Sequence, residues 1–559
     1  MLKLATLIEN PGEPSVSSRY QDPAILRDMG YNGLCIYLTT ALSGLRGPDD
    51  AGGDPEMRRW LQNTLDQVET RVRAARRAGL DVYLFYDALT LPRLDVHRHP
   101  EQLTCKNRPA TLCPASDLAH KLSMDGLRAL ILRFPDIAGI SLRVGDTDAA
   151  RVPYLIGNDV YAPHCPRCSQ LGRADRVLGV IHKAHALVVG EFGKRLIVRA
   201  WNVRPGGLHD DTGLAAWVLP RLPGKPDDDR LVLSFKFSHT DFWRYQAWNP
   251  CSLVAGRRPV IYELQCQREF EGKGGLPNWQ APLWQAGPPE RASGGDPFEK
   301  MGLAEAASRV NLAGVWAWVR GGGWGGPFVR DESWIDANAW AAPRLADNPQ
   351  ADPAALALEW ARTRLHIKED KAAQTVARIL AESSEAMRRA FYVEAFAAGR
   401  PGPWHPAADL VSDDLIDAES AWRMVRAVPL DRLAAVVEEK RLAADWMGAA
   451  RHQLQGIIAD RAHENLESLL HTLQYGESLF EALHDLFGGL VAYRQWLSGK
   501  QAKDAALCRV KLSAAQNHWN HHVRRDGTLP GVATPFRETG FWELTQKVMD
   551  EVAAASAPA

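Results

Sequence analysis

Eight short runs of β-branched and aromatic residues punctuate the first 320 positions, and helical patterns separate most of them. They read LKLATLI, GLCIYL, DVYLFYD, GISLRVGD, RLIVRAWN, RLVLSFKFS, VIYELQC and GVWAWVR. MRRWLQNTLDQVETRVRAARRAG (57–79) and ADRVLGVIHKAHALVVGEFG (174–193) are two of the intervening helical segments. Strands alternating with helices must pair in parallel, and eight such units predict an α/β fold closed as a (β/α)8 TIM barrel. From about residue 350 the strand runs vanish. Long Ala-, Leu-, Glu- and Arg-rich segments follow, with apolar residues recurring at three and four, which predicts an α-helical C-terminal domain. The expected division is a barrel over 1–350 and a helical domain over 351–559, with the boundary in LADNPQADP. The loop GRPGPWHPAADL (399–410) breaks the helices and is placed to project Trp404 and His405 toward the barrel mouth.

Composition narrows the function classes. With 66 Lys+Arg against 67 Asp+Glu the net charge is −1, so no global field favours nucleic acid or an anionic membrane. At 46% hydrophobic and 24% charged the chain is ordinary globular protein. No run approaches the roughly 18 apolar residues that a transmembrane helix needs. The opening MLKLATLIENPGEP reads as a strand entering a loop rather than a signal peptide, so a chain that starts here is expected in the cytoplasm. Composition leaves a homo-oligomer open. The unusual count is 19 tryptophans, many in Gly/Pro-rich loops such as DFWRYQAWNP, LPNWQAPLW and GGGWGGP. Flat rings in loops suit stacking on sugars, although the same rings can simply pin long loops.

A barrel carries its chemistry at the C-terminal ends of its strands, and polar residues crowd those ends here. Asp87 ends the third run, and Asp146 and Asp148 follow the fourth. Arg199, Trp201 and Asn202 end the fifth, Lys236 and Asp241 the sixth, and Glu263 and Glu269 the seventh. Trp316 and Trp318 lie in the eighth, ahead of a loop with Trp324. Carboxylates after strands four, six and seven could flank a glycosidic bond from different sides, as hydrolysis by an acid and a base requires.

At these positions the sequence resembles the family 67 glycoside hydrolases, the α-glucuronidases. Lys236, Asp241 and Phe242 in FKFSHTDFWRYQAWNP match that family's sixth strand, and Glu263, Gln265, Glu269, Phe270 and Gly272 match its seventh. Asp241 and Glu269 stand 28 residues apart, in agreement with the family's spacing. RFPDIAGISLR resembles its fourth strand, with Arg143 in place of a lysine, and LIVRAWNV its fifth. GVWAWVRGGGWGGP and DANAWAAPRLADNP resemble its last strand and closing helix. The similarity spans roughly 20–365, and a helical domain follows in that family too.

The resemblance implies an inverting, exo-acting glycoside hydrolase that cleaves a uronic acid from small oligosaccharides. Asp241 and Glu269 would activate water. Arg199 and Lys236 would hold the sugar carboxylate, supported by Arg143, Glu263, Trp201, Trp243, Trp318 and Trp324. Two alternatives stay open: a related α-glycosidase acting on a neutral sugar, and a carbohydrate-binding barrel without catalysis. The chain departs from the family at the general acid. The family's glutamate aligns with Thr147, which has Asp146 and Asp148 on either side, and Asp146 is the expected acid because it lies nearer the strand end. The family's N-terminal β-sandwich is absent from this sequence, and its Asn-Gly-Pro-Ile is FSHT here. No cofactor or metal is assigned to catalysis, because an acid–base pair suffices.

Eight cysteines are too few for a disulfide scaffold. Cys35 and Cys266 lie in strand runs and read as packed thiols. Cys165 and Cys168 form a C-x-x-C after strand four, and Cys105 and Cys113 follow strand three. Spacings of x2 and x7 are a weaker zinc signal than two C-x-x-C knuckles, so free loop thiols are the expectation, with zinc or a disulfide as alternatives. His518, His521 and His522 read as a polar helix face.

Overall fold

The computed structural model describes residues 1–8, 17–47, 50, 52–149, 151–152, 154–288, 300–320, 329–399, 402–405, 410–412, 415–460, 464–524 and 533–555. Eight parallel strands form a closed barrel: β1 (Leu2–Leu7), β2 (Gly33–Ile36), β3 (Asp81–Asp87), β4 (Gly139–Arg143), β5 (Arg195–Arg199), β6 (Leu231–Lys236), β7 (Pro259–Gln265) and β8 (Asn311–Arg320). Each neighbours its successor around the ring, and β8 closes on β1 with Leu2 opposite Gly314 and Thr6 opposite Trp318. All eight coincide with the runs read from the sequence. Inside the barrel the Trp316 indole donates to Thr6 Oγ1 at 2.9 Å and lies 5.1 Å from the Phe85 ring, so its polar atom is satisfied where water is excluded.

The helix Pro55–Arg77 illustrates how local sequence fixes an outer layer. Asp54 caps it by accepting from the Glu56 and Met57 amides, and Pro55 supplies the preset first-turn φ. Met57, Leu61, Thr64, Val68, Val72 and Ala75 form its buried stripe at a spacing of three and four. Each fully buried large aliphatic there contributes about 1.5–3 kcal/mol.

The helix Ser333–Asp347 follows β8, and helices from Pro353 onward build the rest. The helix Glu464–Gly499 packs against both Leu433–Asp460 and Ala502–Val523. A Cβ on Gly489 would lie 2.4 Å from Leu512 Cδ2, so only glycine permits this approach of Glu464–Gly499 to Ala502–Val523. A three-stranded sheet of very short strands (Val411–Ser412, Leu415–Asp417 and Arg537–Thr539) also lies here, which the helical reading omits. Two- and three-residue strands carry too little alternation to register in a sequence. His522 corrects the polar-face reading: it is completely buried and bonded to Ser478 Oγ, while His518 pairs with Asp485. Among the described residues no helix is long and apolar enough to cross a membrane.

Candidate active site

Strand register brings the candidates that lie on strands together at the barrel mouth. Asp87 pairs in register with Arg143, and Arg143 with Arg199. Arg199 pairs with Ser234, Lys236 with Glu263, and Gln265 with Trp318. Three cations from consecutive strands β4, β5 and β6 thus meet carboxylates from β3, β7 and the loops above.

Arg143 is 1% exposed and saturated. Its guanidinium donates to Asp87 at 2.5 and 2.8 Å, to Asp148 at 2.8 Å, to the Tyr37 hydroxyl at 2.7 Å and to Asp146 at 3.1 Å. The Tyr37 hydroxyl in turn donates to Asp148 at 2.8 Å. Arg199, equally buried, donates through Nε to both oxygens of Glu263 at 3.0 and 3.1 Å and through Nη1 to Asp146 at 2.9 Å. Ser234 Oγ donates to the same Glu263. Arg199 lies with its guanidinium carbon 4.8 Å from the Trp318 ring centre, and its Nη2 is buried with no hydrogen-bond partner. An unsatisfied guanidinium N–H in a closed site is costly unless a ligand accepts from it.

Asp146 receives opposing pressures. Burial works to raise its pKa, but the charges of Arg143, Arg199 and Lys236 hold it below the ordinary carboxylate value. A general acid needs the reverse, so in the ligand-free protein Asp146 is ionised at neutral pH. Burial pushes Asp87 up to about 6, against the pull of Arg143.

Above the ring, Lys236 pairs with Asp241, whose Oδ1 also accepts from the Phe242 amide at 2.8 Å. The ammonium lies 3.6 Å from the centre of the Trp201 ring and 4.6 Å from that of Phe242, a cation–π setting that fixes it without neutralising it. Trp201 stacks on Trp404 at 5.9 Å, and Trp404 meets Trp243 edge-on at 6.2 Å. Trp404 therefore reaches the mouth from the helical region. Its indole donates to Asp210 at 2.9 Å, and Thr240 and Gln246 donate to the Pro403 carbonyl at 3.0 and 2.8 Å. His209 supports this loop from below, bonded to the Ser238 and Thr240 carbonyls and set edge-on to Trp201. Burial and the nearby Lys236 charge keep its pKa well below the usual value, so it is a neutral positioning group.

Glu269 is anchored by Gln265, which donates to Glu269 Oε2 at 2.5 Å and accepts from its amide at 3.0 Å. Phe270 beside it lies 6.1 Å from Trp243. Two residues on, Glu271 is completely buried and accepts from Arg244, Arg268, Asn278 and Tyr392. Leu89, Tyr245, Arg268 and Lys273 adopt left-handed φ of 49° to 62° in the loops after β3, β6 and β7. Such strain persists only where surroundings over-determine the backbone, and here it lies beside the candidate carboxylates.

Arg143 and Glu263 are both buried and held by protein groups: Arg143 donates to Asp148 and Asp87, and Glu263 accepts from Arg199 and Ser234. The loop tryptophans Trp248, Trp279 and Trp284 are fully buried pins, whereas Trp201, Trp243 and Trp404, with Trp318 from β8, gather at the mouth. Trp324 lies outside the described residues. Tyr37, His209 and Glu271 escaped the sequence reading. Tyr37 ends the second strand run and was findable by the strand-end rule, whereas the other two act through contacts that no local pattern encodes.

No protein-family model matches the chain, and no curated protein does. Among solved structures, the chain resembles a GH138 enzyme targeting pectin rhamnogalacturonan II, with a TM-score of 0.57 and 12% identity over 99% of this chain and 67% of that one. It is also similar to an O-GlcNAc hydrolase of Thermobaculum terrenum, with a TM-score of 0.42 and 9% identity over 99% of this chain and 95% of that one. At this identity the first likeness shows the fold alone.

Proposed function

We propose that the chain is an inverting, exo-acting glycoside hydrolase of α-glucuronidase type, with a terminal uronic acid seated at the barrel mouth. The observation that carries this reading is Arg199 Nη2, a buried nitrogen without a partner on a guanidinium that pairs with Asp146 and packs on Trp318, at the mouth that also carries Lys236, Asp241 and the cluster of Trp201, Trp404 and Trp243. A planar carboxylate satisfies that nitrogen. Asp241 and Glu269 position and deprotonate water, and Asp146 protonates the leaving oxygen.

Asp146 must then gain a proton, and the substrate supplies the reason. A uronate drawn to Arg199 and Lys236 offsets the positive field that holds Asp146 ionised, and a like charge nearby raises a carboxyl pKa. Asp146→Asn is expected to cripple hydrolysis of natural glycosides by about 10²–10⁴-fold yet largely spare an aryl glycoside with a good leaving group. If Asp148→Asn shows that selectivity and Asp146→Asn is harmless, the acid is two residues later.

One observation favours a second reading, a neutral sugar: each of the three cations already has a carboxylate partner. A screen for reducing-end release from uronate-decorated and neutral oligosaccharides separates the two. The uronate reading expects the acidic substrate to win in kcat/KM. It also expects Arg199→Lys, in a variant of unchanged melting temperature, to raise KM for the acidic substrate far more than for the neutral one. Equal losses favour the neutral sugar.

A further inference from the structure

Cys105 and Cys113, in the loop after β3, meet Cys165 and Cys168, in the loop after β4, and all four thiols are buried. Their sulfurs lie within 4.8 Å of one another. Three of the separations are 3.5 Å (Cys165–Cys168), 3.6 Å (Cys113–Cys165) and 3.9 Å (Cys105–Cys168). Zinc bound to thiolate at about 2.3 Å in a tetrahedron sets its sulfurs about 3.8 Å apart. Free thiols have no reason to converge four at a time from separate loop segments, away from the main core. The cluster forms its own small island with Ala115.

Its surroundings are built for thiolate rather than thiol. The His164 and Cys165 amides point at Cys168 Sγ at 3.1 and 3.3 Å, and Arg167 Nε points at Cys113 Sγ at 3.2 Å. A protonated thiol is a weak acceptor, whereas these buried donors are fully satisfied by negative sulfur. Four thiolates around a divalent ion leave two negative charges, and Arg167 and the buried Arg176 beside the cluster supply compensating cations. Cys165 also lines an open surface depression of about 510 Å³ with Asn107, Arg108 and His164, which gives an ion a route to the sulfurs.

We propose that Cys105, Cys113, Cys165 and Cys168 form a structural zinc(II) site that clamps the loop after β3 to the loop after β4. Four protein ligands close the coordination sphere, so the metal takes no part in turnover. The clamp bears on the mouth through contacts already in place. Leu112 bridges to Asn158, whose amide donates to the Ala88 and Leu89 carbonyls. Arg176 gathers the carbonyls of Val160, Tyr161, Cys168 and Leu171, and the Tyr161 hydroxyl donates to Val144, next to the turn that presents Asp146.

The decisive measurement is metal and thiol content of the wild-type protein, purified without chelator in zinc-supplemented medium. The site predicts one zinc per chain retained through gel filtration. It also predicts four thiols that become reactive to a thiol reagent under native conditions only as zinc is released to a colorimetric chelator. Cobalt(II) exchanged into the protein should give thiolate charge-transfer absorption and tetrahedral d–d bands. A Cys113→Ser variant should lose stoichiometric zinc, and chelator-treated wild type should melt at lower temperature. Protein that carries no zinc with four free thiols, two disulfides by mass spectrometry, or iron in place of zinc would each overturn the assignment. None of these readouts depends on the hydrolase reading, so the two proposals stand or fall separately.

Discussion

Asp241→Asn is expected to lower kcat by about 10²–10⁴-fold on both natural and activated substrates, the range that positioned acid–base groups contribute. The carboxylate sits on the loop after β6, held between Lys236 and the Phe242 amide, with its second oxygen left for water. An amide there retains shape and most packing but cannot accept a proton. Contrast with Asp146→Asn makes the result specific, because an activated leaving group bypasses an acid and never bypasses the base. Melting temperature should hold, since Asp241 is partly exposed and its loss leaves only Lys236 short of one partner, still against the Trp201 ring. An Asp241→Asn protein with undiminished turnover of both substrates would remove it from the chemistry. Undiminished affinity for oligosaccharide in a wild type that never turns over would favour the binding-barrel alternative.

The barrel was legible because its signal is redundant. Each of the eight strands is a separate run, and an error in one would have been exposed by the count. The ring at the mouth was legible for a related reason. Parallel strands of a closed barrel all end at the same mouth, so Asp87, Arg143, Arg199, Lys236 and Gln265, each at a strand end, gather there once the barrel is granted. What the chain order could not convey was which of those groups face one another. Arg143 and Glu263 look like substrate ligands when taken singly. The fold shows their protein partners: Asp87, Asp148 and Tyr37 close around the Arg143 guanidinium, and Arg199 and Ser234 close on the Glu263 carboxylate. The cysteines show the same limit. Their spacing is a poor zinc pattern, yet the hairpin at Thr104–Leu112 and the short helix at Pro166–Ser169 carry the two pairs together. Trp404, by contrast, was marked by its helix-breaking loop, and it does reach the mouth.

Glu271→Gln is expected to be the most destabilising single change near the site, at about 3–5 kcal/mol, the usual result of breaking one side of a buried charge network. The carboxylate is completely buried and accepts from Arg244 at 3.0 and 2.8 Å, Arg268 at 2.7 Å, Asn278 at 2.7 Å and Tyr392 at 2.9 Å. A carboxamide replaces one acceptor oxygen with two donors that face other donors, and it removes the Glu271 charge from beside two guanidiniums. Burial works to raise the Glu271 pKa, but Arg244 and Arg268 together hold it well below the usual carboxylate range. The sign follows from that direction. A carboxyl whose folded pKa is depressed adds stability that is present above its unfolded value, about 4.3, and lost as pH falls through the folded value. Wild type should therefore lose stability steeply in acid, and the variant should start lower and show a flatter acid limb in melts taken from pH 7 downward. Tyr392→Phe, which removes one neutral donor, should cost only about 1 kcal/mol and leave the acid limb steep. The helical region contributes Tyr392 and Ser384 to this node, and the β7 loop contributes Glu271 itself, two residues from Glu269. Loosening it should lower kcat through Glu269 as well as the melting temperature. A Glu271→Gln protein that melts with wild type at neutral pH would mean that Arg244 and Arg268 find other partners, and that the β7 loop is held by something else.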